Sequence, residues 1–302
     1  MKSFLALAAL LLTLLSPTSA FSNELAPTYT TKIQSKHATG LKLTQRNKDF
    51  LSAQIRTSFA GQAVPAKASI QGKAGPVEDQ GQCGSCWDFS LTEALRGSIM
   101  MSGKDPGRLS FNYLLDCAST MQGCDGGDFS AADYFVAPKG APKYGSDGAY
   151  TGVAGKCKSE KAIASAKAYH LLGAEANGTV SFQDIAYVVA VLHLPVSVDL
   201  DAQDGDFMNY AGGVYNKCAG SAANIDHMVV IEGYDCEKAV DESGNCAFDA
   251  NGNLPNGVGT WLVKNSWNTS WGDSGYITIK ATDATGAKCQ ALATDALYFE
   301  LN

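Results

Sequence analysis

Apolar and small side chains fall three and four apart from Trp87 through Leu91, Ala94, Leu95 and Ser98 to Ile99, and Gly103 closes the run. That period predicts a helix of about four turns that begins almost at Cys86. Two stretches read as strands: His227 to Tyr234, and Trp261 to Lys264, which leads into Asn265, Ser266 and Trp267. Nearer the start, Leu51, Ile55 and Phe59 stand four apart and predict one modest helix. The first pattern in the chain is of another kind. Lys2, an apolar run from Phe4 to Leu15 and small residues up to Ala20 outline a secretory signal peptide, 1–20, cleaved near Ala20. About a dozen apolar residues fall short of the roughly 20 that a membrane-crossing helix needs. No later stretch is long enough either, so an exported protein without a membrane partner is expected, in an extracellular, periplasmic or lysosome-like compartment.

Composition adds a sizeable core and an uneven charge. The chain is 45% hydrophobic and 18% charged over 302 residues, far from the composition of a disordered protein. Between Phe21 and Ala63 six Lys and Arg face only Glu24 and Asp49, a net +4, whereas from Val64 onward 16 basic residues face 28 acids, a net −12. So acidic a body argues against nucleic acid as a partner.

Nine cysteines, at 83, 86, 117, 124, 157, 218, 236, 246 and 289, make an odd count, which in an oxidising compartment leaves at least one candidate free thiol. Cys83 and Cys86 frame a CGSC motif. As half of a zinc site it lacks partners, because the four histidines (37, 170, 193 and 227) make no ligand spacing with the cysteines, and no metal or other cofactor is expected. As a thioredoxin-like redox pair it lacks the surrounding βαβ pattern. Cys86, at the predicted helix start, sits in the positive end of the macrodipole, which favours a thiolate and makes it a better nucleophile than Cys83. Of the histidines, His227 opens a strand, and the Asn265 carboxamide beside an aromatic cluster is of the kind that orients an imidazole without adding charge.

The blocks QGQCGSCW, DHMVVIEGY and LVKNSW with WGDSGYITI, in that order, resemble the papain-type cysteine peptidases. Intermediate landmarks agree: LSFNYLLDC at 109–117, GCDGG at 123–127, PVSVDL at 195–200 and GGVY at 212–215, so the likeness runs from about Val64 to the end. The resemblance implies an α+β fold of two lobes, a helical lobe at about 76–168 and a β-rich lobe at about 169–302, with a cleft between them and the peptidase domain spanning 64–302. It implies a peptidase acting on polypeptides, a hydrolase made as a precursor, monomeric and open to protein inhibitors. Cys86 would be nucleophile, His227 general base and then acid, Asn265 the orienter of His227, and Gln80 a donor to the oxyanion, with Trp267 shielding the Asn265 to His227 bond. The implied disulfides are Cys83–Cys124, Cys117–Cys157 and Cys218–Cys289, leaving Cys236 and Cys246 to pair with each other. A binding protein on the same fold without activity is the alternative, against which the intact Cys, His, Asn and Gln argue.

Several departures limit the likeness. No Asp-Trp pair lies between Val64 and Gly75, so the first strand is open to re-routing. Asp88 stands where a small residue is common, at the first helical turn, and is expected as an ordinary helix-start acid. Asn268 and Asn177 open glycosylation sequons. The stretch 235–259 is longer than a turn between strands needs; it is expected to be a disulfide-clamped surface hairpin bordering the cleft, since its calcium-loop pattern is incomplete. The leader, 21–63, lacks the family's spaced pro-domain pattern, and its positive charge suggests docking on the acidic body to block the cleft. By the same resemblance Gly126 and Gly127 line the substrate site. Phe129, Asp199 and Met228 form the wall of the main selecting pocket, Thr294 its floor and Asp128 its rim. A carboxylate at Asp199 leads to the expectation that Lys or Arg is accepted there better than in typical relatives; the alternative is that Asp199 turns to water or a neighbouring donor and the pocket prefers Leu or Val.

Overall fold

The computed structural model describes residues 29–31, 37–174 and 177–302; the signal-peptide stretch lies outside them. In chain order the strands are β1 (Tyr29–Thr31), β2 (Arg56–Thr57), β3 (Lys67–Ser69), β4 (Ala141–Pro142), β5 (Ala162–Ala164), β6 (Ala168–Leu172), β7 (Val196–Leu200), β8 (Tyr210–Tyr215), β9 (His227–Asp235), β10 (Thr260–Lys264), β11 (Tyr276–Lys280) and β12 (Ala296–Glu300). The helices that matter for the site are α1 (Gln45–Ala53), α2 (Cys86–Met101), α3 (Asn112–Cys117) and α4 (Phe182–Tyr187). Ten strands join one sheet in the order β1-β8-β11-β10-β9-β7-β12-β6-β2, with β3 antiparallel on β9, and β4 pairs with β5 alone. The first strand of the body, Lys67 to Ser69, lies antiparallel on β9.

Two apolar cores account for the two lobes. One fills the sheet side with Phe182, Val198, Tyr215, Ile231, Trp261 and Trp271 among others. The second surrounds α2 with Trp87, Leu91, Leu95, Phe129 and Phe135, and takes in Met228 and Ile225 from the other lobe. α2 is buried along most of its length, which explains why Ser90 lies on the inner side, where its hydroxyl meets Ser197 Oγ at 2.6 Å and donates to the Val229 carbonyl at 2.7 Å. Gly103, with φ +81°, stops the helix in a conformation that costs other residues strain.

The leader corrects one expectation. α1 ends at Ala53, so Leu51 is buried while Ile55 is 87% exposed and Phe59 lies beyond the helix, stacked on Tyr187 with centroids 4.3 Å apart. An i, i+4, i+8 pattern of three residues is too short to distinguish a helix from a helix followed by an extended segment with its own anchor. The insertion corrects another. Cys236 is bonded to Cys246, and the segment holds the start of the body rather than the cleft: Cys246 N–H donates to the Val64 carbonyl at 2.9 Å and Ala66 N–H to the Gly244 carbonyl at 3.1 Å.

Candidate active site

Cys86 is the first residue of α2 and the one cysteine outside a disulfide; the bonded pairs are Cys83–Cys124, Cys117–Cys157, Cys218–Cys289 and Cys236–Cys246. The turn before it must be tight. A Cβ on Gly84 would stand 2.4 Å from the Cys124 carbonyl oxygen, so glycine lets the disulfide-tied loop close against the helix start. The Cys86 thiol accepts the Gly40 N–H at 3.2 Å, and the N–H of Met228, the residue after His227, also bears on it. Burial pushes the thiol up to about 12, against the pull of those backbone donors.

His227 opens β9. Its Nε2 lies 2.8 Å from Asn265 Oδ1, which also accepts the Ser266 N–H at 2.8 Å, so Nε2 is the donor and the proton-bearing nitrogen. Nδ1 is buried and has no hydrogen-bond partner, which leaves its lone pair available. The Trp267 ring stacks on the imidazole with centroids 4.6 Å apart, and burial lowers the pKa of His227 to about 4, outweighing the Asn265 hydrogen bond. Gln80 joins the two walls: its Oε1 accepts the Ser266 hydroxyl at 2.7 Å, while Nε2 donates to the carbonyls of Cys83 at 2.9 Å and Ala38 at 3.1 Å.

Ala38 belongs to the leader, which passes through this cleft. Trp267 Nε1 also donates to the Ala38 carbonyl at 3.1 Å, and the His37 ring stacks on Trp267 with centroids 4.5 Å apart. The Gly40 and Leu41 N–H groups both donate to the Asp226 carbonyl, at 3.0 and 2.8 Å. On the facing wall Lys42 N–H donates to the Gly127 carbonyl and Gly127 N–H to the Gly40 carbonyl, each at 2.9 Å, a parallel pairing. Gly126 faces the same strand, where a Cβ would stand 2.6 Å from the Gly40 carbonyl oxygen, and a Cβ on Gly127 would meet the Trp87 ring at 2.4 Å.

The pocket residues divide. Phe129, Met228 and Leu41 share one buried apolar cluster. Thr294 is half-buried, its hydroxyl spent on the Ala291 carbonyl at 2.9 Å. Asp128 is buried and caps the turn that follows it, accepting from the Ser130 N–H at 2.8 Å and from the Ser130 hydroxyl at 2.5 Å. Asp199 is fully buried, with Oδ1 taking the Asp295 N–H at 2.9 Å, and burial raises its pKa well above the carboxylate range. Asp88 stands in the first turn of α2 but is not an ordinary helix-start acid, because it is enclosed. It is fully buried, accepts the Thr92 hydroxyl at 2.9 Å and is pushed well above the usual carboxylate range by burial, which favours a neutral carboxyl and so leaves the dipole's pull on a Cys86 thiolate unweakened.

Beneath the site lies a charge network that sequence reasoning missed. Lys264, next to Asn265, is paired with Glu232 at 2.6 Å and Glu93 at 3.1 Å; Arg96 joins Glu93 to Glu78, and Arg108 closes on Glu78 at 2.6 Å. Burial alone would lower the Lys264 amine, but the two carboxylates outweigh it and raise the amine above its ordinary value. The network thus ties α2 to β9 and to the Asn265 loop. Its sequence trace is two charges, Glu93 and Arg96, inside an otherwise buried helix, which sequence alone does not separate from a solvated face.

A family model described as "Papain family cysteine protease" matches residues 64–298, the body that carries Cys86, His227 and Asn265. The chain belongs to the papain family. Its relatives in that family include the senescence-specific cysteine protease SAG39 of Oryza sativa subsp. indica, 33% identical over 246 residues that cover 78% of this chain and 65% of that protein. The digestive cysteine proteinase 1 of Homarus americanus is 32% identical over 249 residues, covering 80% and 68%. This papain-family chain thus spans just under two thirds of the first of these relatives. Among solved structures, digestive procathepsin L 3 of Tenebrio molitor larval midgut matches with a TM-score of 0.67 at 26% identity, over 91% of this chain and 83% of that one. The Amb a 11 cysteine protease of ragweed pollen in its proform gives 0.61 at 27% identity, over 84% and 69%. These neighbours share the two-lobed papain-like α+β fold.

Proposed function

We propose that the chain is an exported cysteine endopeptidase made as an inactive precursor, with Cys86 as nucleophile, His227 as general base and acid, Asn265 as the group orienting His227, and Gln80 as oxyanion donor. The observation that carries this reading is the junction of an unbonded thiol at a helix N-terminus with a histidine held by an asparagine, in a cleft threaded by the chain's own residues 37–42.

In the precursor the thiol and imidazole are both neutral, because burial raises one pKa and lowers the other. Removing the leader returns water to the cleft, and the helix dipole then favours transfer of the thiol proton to His227 Nδ1. The thiolate attacks a peptide carbonyl carbon. Gln80 Nε2 and the Cys86 N–H stabilise the charge developing on its oxygen, and His227 passes its proton to the departing amine, leaving a thioester. Water, deprotonated by His227, attacks the thioester and releases the acid and the thiolate. Asn265 fixes the imidazole plane throughout, and Trp267 covers their hydrogen bond.

The test is labelling of the leader-free form with an epoxide or iodoacetamide at mildly acid pH, alongside a peptide-hydrolysis assay. One fast-reacting thiol at Cys86, and loss of hydrolysis in Cys86→Ala to below about a thousandth, is the expected result. A thiol of ordinary reactivity would remove the enzyme reading.

A further inference from the structure

The segment just before the body is held to the sheet lobe independently of residues 37–42 in the cleft. From Arg56 to Gln62 it is built into the sheet lobe. Arg56 and Thr57 pair in parallel with Leu171 and Leu172 as the edge strand β2, and Gly173 N–H donates to the Thr57 carbonyl at 3.0 Å. The Arg56 guanidinium reaches Asp295 at 2.7 Å with both side chains only 12–13% exposed, and donates to the Leu172 carbonyl at 2.9 Å. Asp184 Oδ1 accepts the Ser58 hydroxyl at 2.9 Å and the Phe59 N–H at 2.6 Å, while the Phe59 ring stacks on Tyr187.

Just upstream, from Ser52 to Ile55, the hold is loose. Ser52 and Ala53 are exposed, Gln54 has left the helix with φ −83° and ψ 141°, and Ile55 presents 87% of its surface. α1 itself buries Asn47 with neither amide atom partnered, a cost to keeping it docked. An exposed, extended stretch after a helix end is where an endopeptidase binds chain.

We propose that maturation cuts the chain at 52–55, between α1 and β2, so that Arg56 to Ala63 stay in the finished protein as a permanent edge strand. This rests on the precursor reading above and names its processing site. The cut is made in trans, by another copy or another endopeptidase, because the chain's own cleft is filled by 37–42 running parallel to Gly127. Retention has a consequence for specificity. Asp295 donates its N–H to Asp199, so Arg56 stays as the counter-charge of that acid pair, and the Phe129 and Met228 pocket keeps an apolar preference instead of seeking a substrate cation.

Limited digestion of the full-length Cys86→Ala protein by thermolysin, which cuts before large apolar residues, reads the site without any activity of its own. The expected body fragment begins at Ile55, with Phe59 and Val64 resistant. Arg56→Gln in the same background should release β2 and move the cut to Phe59; should that variant not fold, the Cys86→Ala map decides alone. A body fragment that begins at Phe59 or later in Cys86→Ala, or the absence of any cut at 52–56, overturns the proposal. Failure of the peptidase reading would appear separately, in the Cys86 labelling. In the wild-type protein matured in trans, intact mass should place the new N-terminus between Ala53 and Arg56, and a start at 60–64 would equally overturn it.

Discussion

Gly40→Ala in the leader should open the cleft without changing any residue of the body. A Cβ at Gly40 would stand 1.8 Å from the Gly84 carbonyl oxygen and 2.2 Å from its carbon, both backbone atoms. Gly84 has nowhere to retreat, since its N–H is bound to the Cys124 carbonyl at 3.0 Å beside the Cys83–Cys124 disulfide. The leader strand must lift. With it go the Gly40 N–H, shared between Cys86 Sγ at 3.2 Å and the Asp226 carbonyl at 3.0 Å, and the Gly127 N–H bond to the Gly40 carbonyl at 2.9 Å. One shared donor and one acceptor, at about 0.5–1.5 kcal/mol net per hydrogen bond, amount to about 1–3 kcal/mol, or roughly 5- to 150-fold more of the open form. The assay is alkylation of Cys86 by iodoacetamide in the full-length chain, followed by intact mass at early times so that only unprocessed protein is read. A rate within twofold of the unsubstituted precursor would refute the view that this crossing shields the thiol.

Other expectations follow from the same contacts. Lys264→Met strands the buried Glu232 carboxylate from its cation and leaves Glu93 to Arg96 alone, and should cost about 3–5 kcal/mol, lowering Tm by roughly 6–20 °C in calorimetry; a loss below about 1 kcal/mol would contradict the pairing. Burial lowers the His227 pKa from 6.5 to about 4, so its contribution to the stability of the closed precursor against unfolding is full above 6.5 and fades as pH falls toward 4. Cys86, raised from 9.0 to about 12, contributes fully below 9.0 and fades as pH rises. The full-length chain should therefore gain most stability from these two groups between these limits, and an equal calorimetric Tm at neutral and mildly acid pH would exclude the His227 part. If charge helps the leader dock on the acidic body, a 21–54 peptide, with five basic residues against Glu24 and Asp49, should inhibit less at high salt, whereas salt-independent inhibition points to apolar anchoring by Leu41 and Leu51.

The parts of this molecule legible in the sequence are those governed by short-range spacing. The helix from Cys86 announces itself by a period that Gly103 ends, and the strands at His227 and Trp261 by unbroken β-forming runs, because these elements are buried and their pattern is one-sided or continuously apolar. The leader's path was hidden for the opposite reason. Residues 37–42 carry no periodicity; beside the His37 ring and Leu41 they are held largely through backbone N–H and carbonyl groups, which every residue has. Asp199 and Asp88 misled because a carboxylate in the sequence is read as charged, whereas both are enclosed and protonation is favoured. The Lys264 network joins residues far apart in the chain, from Glu78 to Lys264, and no local window contains it.

The leader's parallel pairing with Gly127 bears on how tightly it has to bind. Tethered to the body, it faces the cleft at an effective concentration in the millimolar range, as short linkers provide. A segment with an intrinsic Kd of about 10 μM would therefore keep about 99% of precursor molecules closed. Once the tether is cut, the same segment is a free peptide at the protein's own dilution, and at nanomolar levels almost none stays bound. A weak inhibitor can thus keep the precursor shut and still leave at once, so activation needs only a break in the chain.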